Sequence, residues 1–179
     1  MLTPSVDTFN DLPAASLAGP LNRMAGPIGY RASVAILGQQ FYNVGPTSDR
    51  WLSTFAALDT MVFNTFSTPV RAIGGNFFGT DAPGTALGST TIRIWATNAA
   101  GTSVFTLPSA SSSTFFGLTS TSNITSFRVT AVQPSVGNAW VTANDFRLAQ
   151  TVVPEPGTIV LLASGMLVLG VVARRRRLA

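Results

Sequence analysis

Before Thr158 this chain contains no stretch with the 3.6-residue apolar period of an amphipathic helix. It offers instead a succession of short runs rich in Val, Ile, Thr and aromatic residues, cut by clusters of Gly, Pro, Asn, Asp and Ser at strand-and-turn spacing. The clearest runs lie at 6–12, 30–37, 40–44, 61–66, 70–78, 90–96, 103–107, 124–132 and 139–148, with shorter ones at 51–55 and 115–118. Residues 15–27, carrying Gly19-Pro20 and Gly26-Pro27, read as loop, as does the serine run at 109–114. About nine short strands in the first 150 residues, with no helical crossovers, predict an all-β fold: an antiparallel, jelly-roll-like β-sandwich in a single domain. Greek-key pairing often sets the first strand beside the last, which places 6–12 near 139–148.

One hairpin is explicit. Residues 90–96 and 103–107 flank Asn98-Ala99-Ala100-Gly101, a turn-forming connection. The period of two puts Ile92, Ile94 and Ala96 on one face and Arg93 and Trp95 on the other. Gly74-Gly75, inside the apolar run 70–78, marks a bulge or a close backbone approach.

The chain changes character after residue 150. Val153-Pro154-Glu155-Pro156-Gly157 leads into an uncharged apolar run at 158–173, followed at once by Arg174, Arg175, Arg176 and Arg177. As a helix that run would reach about 24 Å, short against a hydrocarbon core of about 30 Å, although terminal arginines can snorkel and a bilayer can thin locally. A buried core helix is the alternative. Four adjacent cations with no polar stripe favour a single transmembrane helix, with 174–179 as its cytoplasmic tail. Basic clusters can also bind nucleic acid or anionic lipid, but behind an apolar segment the positive-inside rule accounts for this one. Everything before residue 153 then lies outside the cytoplasm. The two prolines fix φ and leave 151–157 as an extended, accessible linker.

Pro-Glu-Pro, a short apolar segment and a terminal arginine cluster, in that order at the chain end, resemble the PEP-CTERM sorting signal of exopolysaccharide-producing Gram-negative bacteria. The matching residues are Val153, Pro154, Glu155 and Pro156, then 158–173 and Arg174 to Arg177. The resemblance implies recognition by an exosortase, a membrane-embedded cysteine transpeptidase-like enzyme. It implies processing near the motif from an inner-membrane-anchored precursor, then release or attachment at the cell surface or extracellular matrix, where exopolysaccharide is a partner. It covers about a seventh of the chain and speaks of destination, not of what the domain does there. The stretches 66–74 and 140–148 are also similar, more weakly, to strands of exported ectodomains with lectin-like or galactose-binding-like sandwiches. Residues 1–7 carry neither a cationic segment nor an apolar run, so the export signal is expected upstream of this sequence.

Composition removes several functions. The net charge of +4 comes mostly from the tail, because the body sets seven arginines (23, 31, 50, 71, 93, 128, 147) against six aspartates (7, 11, 49, 59, 81, 145). The basic pI is therefore no argument for nucleic-acid binding. With no cysteine there is neither a disulfide nor thiol chemistry. With no histidine, Ser-His-Asp and Cys-His catalysis and the common zinc sites are absent. The expected domain is a structural or adhesive module, not an enzyme, that binds glycan or matrix polymer and needs no cofactor. The competing reading is a secreted hydrolase with paired aspartates such as Asp81 and Asp145, which must stand about 5–5.5 or 6.5–9.5 Å apart.

Two further patterns have a functional and a plain reading. Asn76, Asp81, Asn144 and Asp145 could supply oxygen ligands to Ca²⁺, which takes six to eight of them, or simply form turns. Phe-Phe-Gly at 77–79 and 115–117 could present rings to a sugar or fill the core. Among Trp51, Trp95 and Trp140, at least one is expected to pack inside, and an exposed one is the best candidate for carbohydrate contact.

Overall fold

The computed structural model describes residues 4–35 and 40–150. The linker 151–157 with its sorting motif, the apolar run 158–173 and Arg174 to Arg177 lie outside the described residues. Among the described residues no helix is long and apolar enough to cross a membrane.

Thirteen strands make two antiparallel sheets. They are β1 (Ser5–Asp7), β2 (Ser16–Ala18), β3 (Leu21–Ala25), β4 (Ile28–Val34), β5 (Gln40–Val44), β6 (Trp51–Thr54) and β7 (Met61–Asn64), then β8 (Ala72–Thr80), β9 (Thr90–Asn98), β10 (Gly101–Ala110), β11 (Phe115–Thr119), β12 (Ile124–Ala131) and β13 (Trp140–Ala149). Sheet A runs β11-β8-β13-β6-β5-β2, with β1 also on β13; sheet B runs β10-β9-β12-β7-β4-β3. The last eight strands pass back and forth between the sheets so that β6-β13-β8-β11 faces β7-β12-β9-β10, the double Greek key of a jelly roll. Strands β5 and β2 widen sheet A beyond β6, and β4 and β3 widen sheet B beyond β7.

The first strand does lie on the last, pairing Ser5 with Leu148 and Asp7 with Phe146. It stops at Asp7, well short of residue 12. The Asp7 carboxylate accepts the Phe9 N–H at 3.0 Å, Phe9 takes φ 59°, and the Leu12 N–H turns back to the Phe9 carbonyl. Residues 15–27 form two strands where a loop is expected. β2 and β3 are edge strands, where Pro and Gly cost the least pairing, and Gly19-Pro20 joins them through a cis bond. The hairpin of β9 and β10 is as predicted, closing on Asn98 and Gly101, with Ile92, Ile94 and Ala96 buried.

The core lies between the sheets. Phe63 and Phe146 stack at 4.1 Å, Tyr30 leans on Phe146 at 4.9 Å, and Phe77 meets Phe127 at 5.4 Å. Each such burial contributes about 1.5–3 kcal/mol over exposure, which supports a core with no disulfide. β10 adds a residue between Leu107 and Ala110, and two further strands also keep their apolar residues inward only by adding one. In β12 the register slips between Ile124 and Ser126; in β13 it slips between Asn144 and Arg147, opposite Gly75. Val141 and Ala143 point inward before the second bulge, Phe146 and Leu148 after it. Asp145 takes φ 48°, a conformation Asp tolerates, with its N–H on the Asn144 side-chain oxygen at 2.8 Å. The bulge suggested by the two glycines therefore sits on the strand facing them. Gly74 is a close approach: a Cβ there would stand 2.7 Å from the Phe116 carbonyl oxygen.

Candidate functional site

The four oxygen-bearing residues proposed for Ca²⁺ do not form one set. Asn76 and Asn144 are register partners on β8 and β13, and Asp145 follows in the bulge, where Arg147 binds it at 3.2 Å. Asn144 is already engaged, its amide donating to Asp49 at 3.1 and 3.3 Å. Asp81 belongs to a turn beyond Thr80, where its carboxylate accepts the Thr85 N–H at 2.7 Å. Thr80 pairs with Trp140, five residues before Asp145. At about 3.3 Å per residue, Asp81 and Asp145 stand about 16 Å apart along the sheet, beyond either glycosidase spacing. No group of three or more His, Cys, Asp or Glu among the described residues is placed to hold a metal ion.

The carboxylates that do meet are Asp7 and Asp11, both on Arg23 of β3. Arg23 donates to Asp7 at 3.0 and 2.7 Å and to Asp11 at 2.8 and 2.6 Å. Asp7 is buried and also accepts the Tyr30 hydroxyl at 2.6 Å. Burial opposes the Arg23 charge, but the bonds to Asp11 and Asp7 outweigh it and raise its pKa. The Arg23 hydrogen bond holds Asp11 below the ordinary carboxylate range, against a smaller burial effect. Burial, then the Asp7 charge, push the Tyr30 hydroxyl well above its ordinary value. With every acceptor aimed at Arg23, Tyr30 or a backbone N–H, this cluster ties β1 to β3 and β4 and presents no free base.

The aromatics divide by face. Phe77 lies in the main core, while Phe78 packs on the outer side of sheet A with Val44, Trp51 and Ala86 in a second small core. The segment after Asp81 folds back over that side: Gly84, at φ 87°, lies so close to Val44 that a Cβ would meet its Cγ1 at 2.5 Å. Trp51 is buried there, edge-on to Phe78 at 5.0 Å, with its indole N–H on Asp49 at 3.1 Å. Phe116 packs on the core, whereas the Phe115 ring is exposed over Gly74 and Gly117. Trp95 and Trp140 are both half-buried, the first on the outer face of sheet B, the second on that of sheet A.

Trp140 is part of a cleft of about 330 Å³. Tyr42 of β5 and Phe55, just after β6, are 41% and 54% exposed and face it with Trp140, while Asp81 and Pro83 form the opposite rim. The Trp140 indole N–H donates to the Phe55 carbonyl at 3.1 Å, which fixes its ring. The buried hydroxyl residues Ser53, Thr54 and Thr80 line the floor, and beneath it the Thr142 hydroxyl lies 3.0 Å from both Ser53 and Thr80. Beyond the Asp81–Pro83 rim, a wider hollow of about 730 Å³ shares Trp140 as a wall. Tyr42 and Phe55 went unrecognised in the sequence because nothing local joins them to Trp140. The alternation Phe41-in, Tyr42-out was the available signal.

Residues 152–177 match the PEP-CTERM protein-sorting motif, so the chain carries an exosortase sorting signal over the stretch read as one. No curated protein matches the chain significantly. Among solved structures, the enzymatically active domain of bacteriophage CBA120 tailspike protein 4 is similar over 83% of this chain at 11% identity and a TM-score of 0.30. The match spans 19% of that chain, and at this similarity it carries no argument about site or activity.

Proposed function

We propose that this chain is a surface or matrix protein, displayed through its sorting signal, whose jelly roll binds glycan in the Trp140 cleft without cleaving it. The sorting motif at 152–177 makes it an exported exosortase substrate, so its natural ligands are extracytoplasmic. Its inner-membrane stage and its final place at the surface or in exopolysaccharide are part of this proposal. One observation carries the binding role: Tyr42, Phe55 and Trp140, from three separated segments, border a hydroxyl-floored hollow and leave apolar ring surface open to water. A sugar offers the matching chemistry, with C–H faces for rings and hydroxyls for polar groups at the rim. A binding role is favoured over hydrolysis because, among the described residues, Asp81 is the only carboxylate lining the cleft. No metal enters the reading.

The full chain, held in detergent, is tested against neutral glycans. Trp140→Ala is expected to weaken retention about tenfold or more, as loss of an anchoring ring does, while thermal stability stays near that of the parent. Excess EDTA is expected to change nothing, and no reducing ends should appear. Retention by Trp140→Ala equal to the parent's would remove the cleft from the reading. Sorting is checked by intact mass in host cells with and without exosortase: a shortened chain outside the cell only when the enzyme is present is the expected result.

A further inference from the structure

We infer that the outer face of sheet B is a second binding site, for an acidic polysaccharide, built from Arg31, Arg93, Arg128 and Trp95. It goes beyond the cleft proposal and does not depend on it, since it uses other residues on the other outer face.

The body carries seven arginines. Four have internal work: Arg23 holds Asp7 and Asp11, Arg147 binds Asp145, Arg50 donates to the Gly45 carbonyl, and Arg71 donates to Asn123 and the Thr121 carbonyl. Among the described residues the guanidinium groups of the other three, Arg31, Arg93 and Arg128, make no hydrogen bond or ion pair. All three are exposed and point away from the core, each between two buried neighbours on β4, β9 or β12. They therefore share one face. None of the six aspartates is exposed on this face; the nearest, Asp59, accepts the Thr130 hydroxyl on its carbonyl, level with Arg93. Asp7 and Asp11 are at the Arg23 corner, and Asp49, Asp81 and Asp145 are on the sheet A side. Asp59 is buried in the turn before β7. Seven positive and six negative charges, nearly balanced in the body, are thus segregated in space.

The register turns three arginines into a row. Arg93 lies level with Thr130, two residues along β12 from Arg128. Arg31 and Ser126 both pair with Asn64, and Arg128 pairs with Val62. With strands about 4.8 Å apart and a rise of about 3.3 Å per residue, the Cα positions step diagonally by about 8 and then 12 Å, and span about 20 Å. Trp95 stands beside Arg128 in register, two residues from Arg93, with its ring half-exposed. Around it the face shows Thr97, Thr102 and Thr106.

This is the complement of a chain that repeats a carboxylate or sulfate and a sugar ring. Arginine forks bind such anions bidentately, and desolvated aromatic surface takes the ring. A face meant only for solubility gains from mixing both signs; among the described residues this one exposes no acid. Nucleic acid would share the charge attraction, and the test separates the two.

The test compares variants of the full chain in detergent, because Arg174 to Arg177 also attract anions and are constant across the set. The probes are polygalacturonate, neutral dextran and double-stranded DNA of matched charge, titrated over a range of salt. The parent is expected to prefer polygalacturonate, and Arg31→Gln/Arg93→Gln/Arg128→Gln to weaken it about tenfold or more and flatten its salt dependence. Trp95→Ala should weaken polygalacturonate but not DNA. A triple variant that binds polygalacturonate as the parent does overturns the site. Equal loss of both polymers in Trp95→Ala, or a preference for DNA, overturns the glycan assignment. Arg128→Glu, a single surface change, gives the same decision should the triple variant fold poorly.

Discussion

Arg23 and the arginines of the open face are the same residue type under opposite constraints. At the corner of β1, β3 and β4, Arg23 lies among Asp7, Asp11 and Tyr30, with its side chain 11% exposed and each carboxylate held by two bonds. On sheet B, Arg93 and Arg128 project into water from strands whose alternate residues are buried. A cation taken out of water needs a nearly complete set of partners, whereas one left in water needs none. The corner charges therefore belong to folding, and those of the face are free for a ligand.

That contrast can be broken by substitution, and the corner should yield the largest effect. Arg23→Ala leaves the buried Asp7 carboxylate without its counter-charge and should cost about 3–5 kcal/mol in urea unfolding. A loss no larger than that of a surface change would mean that the cluster is solvated and the contrast false. Tyr30→Phe should come next, and its signature is in the pH profile. The Tyr30 hydroxyl is raised above its ordinary value of 10.0 by burial and by Asp7. Its stabilisation is therefore complete below about 10 and is lost as pH rises through the higher folded value. The parent should weaken in alkali, and Tyr30→Phe should weaken less steeply over that range.

Asp11 gives a smaller effect of opposite sense. Its folded value is depressed from 3.8 by Arg23, so its contribution is present above 3.8 and is lost as pH falls through the folded value. The side chain is 68% exposed, so Asp11→Asn should remove only a shallow part of the acid limb in thermal melts. Smallest of all, Arg93→Gln and Arg128→Gln should each change unfolding free energy by no more than about 0.5 kcal/mol. A larger loss would give these arginines a structural role and sharpen the search for their partners.

Much of the fold was legible because its signals are local. Asn98-Ala99-Ala100-Gly101 forms its hairpin from neighbouring residues alone, and the alternation through Ile92 and Ile94 fixes which side chains turn inward. The stretch 15–27 was misread because Gly and Pro mark both loops and edge strands, and only pairing to β4 and β5 distinguishes them. Asp81 is separated from Asn76, Asn144 and Asp145 for a related reason. Asn76, five residues before it, lies beside Asn144, but the strand between carries Asp81 to the far end of the sheet. The Trp140 cleft was half visible: a tryptophan only partly buried could be anticipated, but its companions Tyr42 and Phe55 could not.

The sequence by itself determined that the body is β, that the first strand meets the last, and that residues 152–177 carry a sorting signal. Each follows from order or spacing along the chain. Only the tertiary structure decided which arginines are neutralised and which face stays bare. Charge balance counted along the chain is nearly even. Strand phase, reset by single-residue bulges in β12 and β13, and pairing between strands far apart in sequence decide where each charge points and what it meets.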